Sequence, residues 1–250
     1  MLGTGYGECK SKKKFSKEYR GRGGVLIDDS LLIDAPGDIF DITSELGLDG
    51  IFNTVTDVII SHSHEGHFSP NAILNLARKK KIRLHATEIV LNMVPDNINI
   101  EKRKIEPLTT FKAGAHNIAA LPTNHETDIP GEFCLNFLIM RDKTLFYGLD
   151  GSFFQKRTFN ILKTIRLDGV IFDGALEKEA PSEKNLIHND IETIIRMKAI
   201  LEGSGIATEK TKYIISHVPT DKKREIHEEL APEVSKLGIT LAYDGYFTRV

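Results

Sequence analysis

Three histidines fall within six residues in the segment Ser61-His62-Ser63-His64-Glu65-Gly66-His67. They directly follow Val55-Thr56-Asp57-Val58-Ile59-Ile60, a β-branched, apolar run that reads as a buried strand ending at Ser61. A strand end holds its loop rigidly, and alternation along extended backbone aims His62 and His64 the same way. Neutral imidazole is the commonest nitrogen ligand for zinc and its neighbours, and one ion needs three or four ligands converging at about 2.0–2.3 Å. A lone histidine near a strand end is usually a hydrogen-bonded loop residue, but His-x-His-x-x-His at the tip of an apolar strand points to metal. Asp150 has physical support of its own. Leu145-Phe146-Tyr147 reads as a buried strand, and a carboxylate just beyond its end is costly to bury unless something cationic neutralises it. Asp34, after another apolar strand, suits a partner for the N–H of a ligating imidazole, the usual way ring orientation is fixed.

The elements that must position these groups follow from pattern. Val25 to Asp34 reads as a β-hairpin about Asp28-Asp29-Ser30, with a short helix over Phe40 to Leu48. Pro70-Asn71 opens a helix to about Lys80, with Ile73, Leu74 and Ala77 on one face. Ile82–Ala86, Ile98–Ile105, Asn117–Leu121, Cys134–Met140 and Thr144–Tyr147 read as strands, the last two as a hairpin around Arg141-Asp142-Lys143. Helical spacing over Phe153–Ile165 and Asp190–Leu201 then alternates with strands at Gly169–Phe172 and Tyr213–Ser216. Lys222 to Leu237 reads as a helix interrupted by Pro232, before a last strand over Thr240–Tyr243. This order suggests an α/β (α+β) protein of two sheets packed face to face with helices outside, and residues 1–250 read as one domain.

Composition sets the outer bounds. At 40% hydrophobic and 27% charged residues the chain is of average globular make-up, which excludes disordered and fibrous classes. Thirty-three Lys+Arg against 35 Asp+Glu give a net charge of -2, so no overall field favours nucleic acid or an anionic membrane. The longest apolar stretches are strand-sized, and no secretion signal is read at the start. Two cysteines, Cys9 and Cys134, make a disulfide framework unexpected and favour a reduced, cytoplasmic setting. The basic stretch Lys10, Lys12, Lys13, Lys14, Lys17, Arg20 and Arg22 reads as a solvated loop, with a phosphate-steering lip as the alternative.

The histidine segment resembles the His-x-His-x-Asp-His signature of the metallo-β-lactamase superfamily. The chain looks most like the branch holding the cyclic phosphodiesterase of the carbon-phosphorus lyase pathway. The resemblance runs through Leu2-Gly3-Thr4-Gly5, Leu31 to Asp34, the His62 cluster with Phe68, Asn124-His125, Lys143 to Asp150, His188, Ile215-Ser216-His217 and Ala242-Tyr243-Asp244-Gly245. It implies an αββα four-layer sandwich, the metallo-β-lactamase fold, with one or two divalent ions (Zn or Mn first, Fe or Ni next). By position, His62, His64 and His125 would hold the first ion, His67 and His217 the second, and Asp150 would bridge them. His188 is either part of a helix entry capped by Asn189 or Asp190, or a group at the mouth of the site that contacts a phosphate oxygen or acts as general acid. His85, His116 and His227 match nothing in the pattern and read as structural.

One position departs from the signature: Gly66 stands where the family has Asp, so the second ion loses a carboxylate. Adjacent Glu65 is expected to turn its side chain away. The expected activity is metal-dependent hydrolysis of a small phosphate diester, with catalytic roles for Asp150 and His188. The competing readings are a lactone, thioester or carboxylic ester hydrolase, and a metal-binding protein weakened in catalysis by Gly66. A small phosphorylated substrate is expected, nucleic acid and membrane are not, and a homo-oligomer is compatible.

Overall fold

The computed structural model describes residues 1–6, 16–78, 80–178, 183–221 and 224–250. The first half holds β1 (Gly5–Tyr6), β2 (Val25–Ile27), β3 (Leu31–Ile33), α1 (Ile39–Glu45), β4 (Asp57–Ile59), α2 (Pro70–Leu76), β5 (Ile82–Ala86), α3 (Glu88–Met93) and β6 (Ile100–Lys104). An antiparallel run of β7 (Thr110–Ala113), β8 (His116–Pro122), β9 (Leu135–Met140) and β10 (Thr144–Gly148) follows. The second half continues with α4 (Lys156–Leu162), β11 (Gly169–Asp173), α5 (Ile191–Gly203), β12 (Lys212–Ser216), β13 (Val218–Pro219), α6 (Ile226–Ser235) and β14 (Ile239–Leu241). One sheet has strand order β2-β3-β4-β5-β6 and the other β14-β12-β11-β10-β9-β8-β7, while β1 pairs with β13 alone.

Alternation along the strands divides the apolar residues into three layers. Leu31, Ile33 and Ile59 of one sheet meet Phe137, Ile139, Ile171 and Ile214 of the other in the middle of the sandwich. Leu32, Val58 and Leu84 face outward onto Ile39, Ile73 and Val90 of α1, α2 and α3. Val170, Phe172 and Ile215 face the opposite way onto Leu162, Ile194 and Leu230 of α4, α5 and α6. A one-residue slip of β11 would exchange Ile171 with Phe172 between layers, so the pattern fixes register. The result is the αββα order expected.

Several boundaries differ from the sequence reading. The helix from Pro70 stops at Leu76, because Asn99 Nδ2 takes up the Ala77 carbonyl at 3.0 Å before the cationic run begins. Pro232 does not interrupt α6: it lies inside the helix on the exposed side, where the carbonyl of Glu228 that it leaves without an N–H faces water. The short α3 and β7 were not expected. Arg20 is not solvated but 1% exposed, donating from Nη1 to Thr4 Oγ1 and to the carbonyl of Ala242. Lys10, Lys12, Lys13, Lys14 and Cys9 lie outside the described residues, and Cys134 is buried. Among the described residues no helix is long and apolar enough to cross a membrane.

Candidate metal centre

Strands β3, β4, β5 and β6 run parallel in one sheet, as do β10, β11, β12 and β14 in the other. The chain leaves each sheet at the carboxyl ends of these strands, and the chemistry-bearing residues stand just beyond them. Asp34 follows β3, the histidine loop follows β4, His125 follows β8, Asp150 follows β10, Asp173 ends β11 and His217 follows β12. Asp34, Asp150 and His217 adopt positive φ of 61°, 49° and 60°. This left-handed conformation is strained for residues other than glycine, and it turns each side chain sharply off its strand.

The six residues expected as ligands form two groups that share one carboxylate. His62, His64, His125 and Asp150 offer ligand atoms within 4.8 Å of one another, and so do His67, Asp150 and His217. His64 Nδ1 stands 3.1 Å from both His62 Nε2 and His125 Nε2. Asp150 Oδ2 lies 3.1 Å from His62 Nε2, 3.0 Å from His67 Nε2 and 3.5 Å from His125 Nε2, and Oδ1 lies 2.6 Å from His217 Nε2. Ligand atoms around one ion at about 2.1 Å are themselves roughly 3–3.5 Å apart, which is the spacing seen.

Hydrogen-bond accounting points the same way. His67 Nε2, His217 Nε2 and Asp150 Oδ1 are buried and have no hydrogen-bond partner among the described residues beyond their close approach to one another and to Asp150 Oδ2. Buried polar atoms are seldom left so, and three that crowd one carboxylate fit a cation that would take up their lone pairs. Burial pushes His62 and His125 down to about 4, which keeps both rings neutral as ligands must be. Burial would lower His67 too, but Asp150 and Asp34 outweigh it and push this ring up to about 10. Burial would raise Asp150, and the rings of His217 and His67 outweigh that and hold it well below the usual carboxylate range.

Asp34 has the role expected of it. Its Oδ2 lies 2.8 Å from His67 Nδ1 and accepts from Tyr147 OH and Ser61 Oγ, while Oδ1 accepts from the Ser61 N–H. His188 stands at the site as well as at the helix entry: its ring is 4.9 Å from that of His125 and 6.1 Å from that of His217, while Asp190 caps α5 through the Thr193 N–H. Burial would lower His188, yet Asp173, 2.6 Å from Nδ1, outweighs it and raises the ring above its ordinary value. Glu65 turns outward to Arg22 at 3.1 Å, and Gly66 contributes no donor. His85 and His116 pair with Asp57 and Asp28, and His227 faces Arg20, all away from the cluster.

Three participants escaped the sequence reading. Asp173 follows Val170-Ile171-Phe172 just as Asp150 follows its own strand, so the same signal was present. Glu132 takes the Ser63 N–H at 2.8 Å and the Ser63 hydroxyl at 2.5 Å, fixing the residue between His62 and His64. The Tyr6 ring meets both His188 and His217 edge to face, with ring centroids 5.1 Å apart in each pair.

No protein-family model and no curated protein sequence matches the chain. Solved structures do. The metallo-β-lactamase fold protein YhfI from Bacillus subtilis aligns over 98% of this chain and 95% of its own, with 16% identity and a TM-score of 0.72. A diphosphatase of the PhnP family aligns over 98% and 93%, at 17% identity and a TM-score of 0.68. The short form of human tRNase Z aligns over 100% and 97%, at 14% identity and a TM-score of 0.69. At these identities the likeness speaks for architecture alone, and that architecture is the metallo-β-lactamase fold.

Proposed function

We propose that this protein is a metal-dependent hydrolase that cleaves a phosphodiester in a small molecule. The observation that carries the reading is the single carboxylate, Asp150, shared by two sets of imidazoles whose ligand atoms lie within 4.8 Å of one another. His62, His64 and His125 with Asp150 would hold one divalent ion, Zn or Mn in the first instance, and His67 and His217 with the same Asp150 a second. A bound ion supplies Lewis acidity at the ester and brings the pKa of water from 15.7 to about 7. The protein's own groups do the rest. Asp34 orients His67, and Glu132 holds the backbone between His62 and His64. His188 has Nδ1 committed to Asp173, so Nε2 is the nitrogen left to contact a phosphate oxygen or give its proton to the departing one.

A phosphate substrate is favoured by the similarity to a diphosphatase and to a tRNase. A small molecule is favoured by the absence of any overall positive field. A cysteine count of two, too low for a disulfide framework, fits a cytoplasmic setting. Gly66, which offers no donor, favours a second reading in which the centre binds metal but turns over weakly. The test is hydrolysis of bis(p-nitrophenyl) phosphate, expected to be abolished by a chelator and restored by Mn or Zn. Cleavage of lactones or carboxylic esters instead would replace the substrate class, and no turnover on any of them would leave the second reading.

A further inference from the structure

We propose that Thr123 is a positioning residue of the centre, its one hydroxyl tying the backbone of Asp150 to that of His125. This rests on reading the cluster as a metal centre. Asp150 leaves β10 at a positive φ of 49°, a conformation that its surroundings must hold in place. Thr123 Oγ1 donates to the Asp150 carbonyl at 2.7 Å and accepts from the His125 N–H at 2.9 Å. The second bond alone would be an ordinary local turn contact. The first spans 27 residues of sequence and joins the segment after β8 to the segment after β10. Together they fix two members of one donor set relative to each other.

Side chains hold the segment on either side of Asp150 as well. The Leu149 carbonyl accepts from Asn136 Nδ2 at 2.7 Å, the Gly151 carbonyl accepts from Asn189 Nδ2 at 2.8 Å, and the Ser152 N–H donates to Asn124 Oδ1 at 2.9 Å. Thr123 differs from these three in also bonding the backbone of a second member of the His62, His64, His125 and Asp150 set. Space fits the same picture. A Cβ built on Gly151 would lie 2.9 Å from Thr123 Oγ1 and 3.3 Å from Thr123 Cβ, too close for the hydroxyl to stay where it is. Glycine at 151 therefore makes room for the hydroxyl to reach the Asp150 carbonyl. Without that hydroxyl, the carbonyl and the His125 N–H each lose a partner and must turn to find another. A ligating constellation tolerates a displacement of only about 0.5 Å, so such a turn is felt in affinity.

The full-length, metal-free chain should be titrated with Co(II), followed by visible absorption and by equilibrium dialysis with elemental analysis, and melted with and without the ion. The expected result is that Thr123→Val binds its tightest ion at least about tenfold more weakly than the unmodified chain, with an altered Co(II) spectrum. Most of the rise in melting temperature that the ion gives should go with it. Thr123→Ser, which keeps the hydroxyl, should restore all three. Gly151→Ala, which keeps the hydroxyl but crowds it, should reproduce the weakening and add little to that of Thr123→Val. If Thr123→Val does not fold, Gly151→Ala carries the same expectation and the same power to refute. Unchanged affinity and spectrum in these variants, with equal falls in melting temperature for the metal-free and loaded forms, overturn the proposal. So does a Thr123→Ser protein as weak as Thr123→Val. An unmodified chain that takes up no Co(II) removes the metal centre and the proposal together, whereas equal Co(II) binding by the unmodified chain and Thr123→Val removes the proposal alone.

Discussion

Strand β4 connects two buried clusters of histidine and aspartate that look alike in composition and differ in their hydrogen bonding. At its start, Asp57 Oδ1 accepts from Arg83 Nε at 2.7 Å and lies 2.9 Å from His85 Nε2, and Oδ2 accepts from Thr56 Oγ1 at 2.8 Å. His85 also stacks on Phe111, with ring centroids 5.1 Å apart. Neither Asp57 nor His85 keeps a buried atom without a partner among the described residues. Beyond the other end of the strand, the Asp150 cluster keeps five such atoms on His67, His125, Asp150 and His217. A cluster whose donors and acceptors answer one another is a brace, whereas one that crowds imidazoles on a shared carboxylate and leaves buried polar atoms over has the make-up of a cation site. Counting partners separates the two where residue type does not.

Substitutions at three positions would break or sharpen that contrast. The largest effect belongs to Asp150→Asn, which should strip metal from both donor sets and lower turnover by on the order of 10³-fold. It should also cancel the rise in melting temperature that metal gives the unmodified chain. Elemental analysis, calorimetry and kinetics read all three, and full metal content in this variant would refute the shared carboxylate.

Next comes Asp57→Ala, which should cost about 3 kcal/mol in denaturant unfolding, by removing the partner of buried His85, with metal content unchanged. A loss of metal here would erase the distinction between brace and centre. The same carboxylate carries a pH signature. Burial would raise Asp57, but His85 and Arg83 outweigh it and hold the group well below its ordinary value. Its contribution to stability is therefore complete above an unfolded pKa of about 3.9 and is lost as pH falls through the lower folded value. Acid unfolding curves should show that loss in the unmodified chain and a shallower one in Asp57→Asn.

The smallest effect is that of Asp34→Asn, which should weaken metal binding about 10–100-fold, chiefly at the His67 and His217 set. Its four contacts concern His67, Ser61 and Tyr147, so an equal loss at the His64 set would show that Asp34 supports the whole loop.

The cluster of histidines and Asp150 was legible because its signals are short in sequence: three histidines in six residues, and polar residues placed directly after apolar strands. The sandwich was legible for the related reason that alternation marks each strand. What stayed hidden is carried by distant partners. Glu132 meets Ser63 across 69 residues, and nothing local announces it. The charge run ending at Arg22 read as solvated, yet Arg20 is buried by Thr4, Ala242 and His227, two of them more than 200 residues away. The six residues of α3 give too little periodicity to detect, although Thr87 before Glu88 carried a start signal. Asp173 stands apart from these, since it directly follows the apolar run Val170-Ile171-Phe172 and its signal is local.

His217 shows what this arrangement demands of evolution. It holds a positive φ of 60° and buries two ring nitrogens that make no hydrogen bond. Glycine would relax the backbone and asparagine would tolerate it, and either would remove the imidazole. A population of variants sorted for heat resistance alone, in medium stripped of metal, should therefore drift away from histidine at this position, while the same population kept under selection for metal uptake should retain it. The residue is an adaptation that folding by itself would discard.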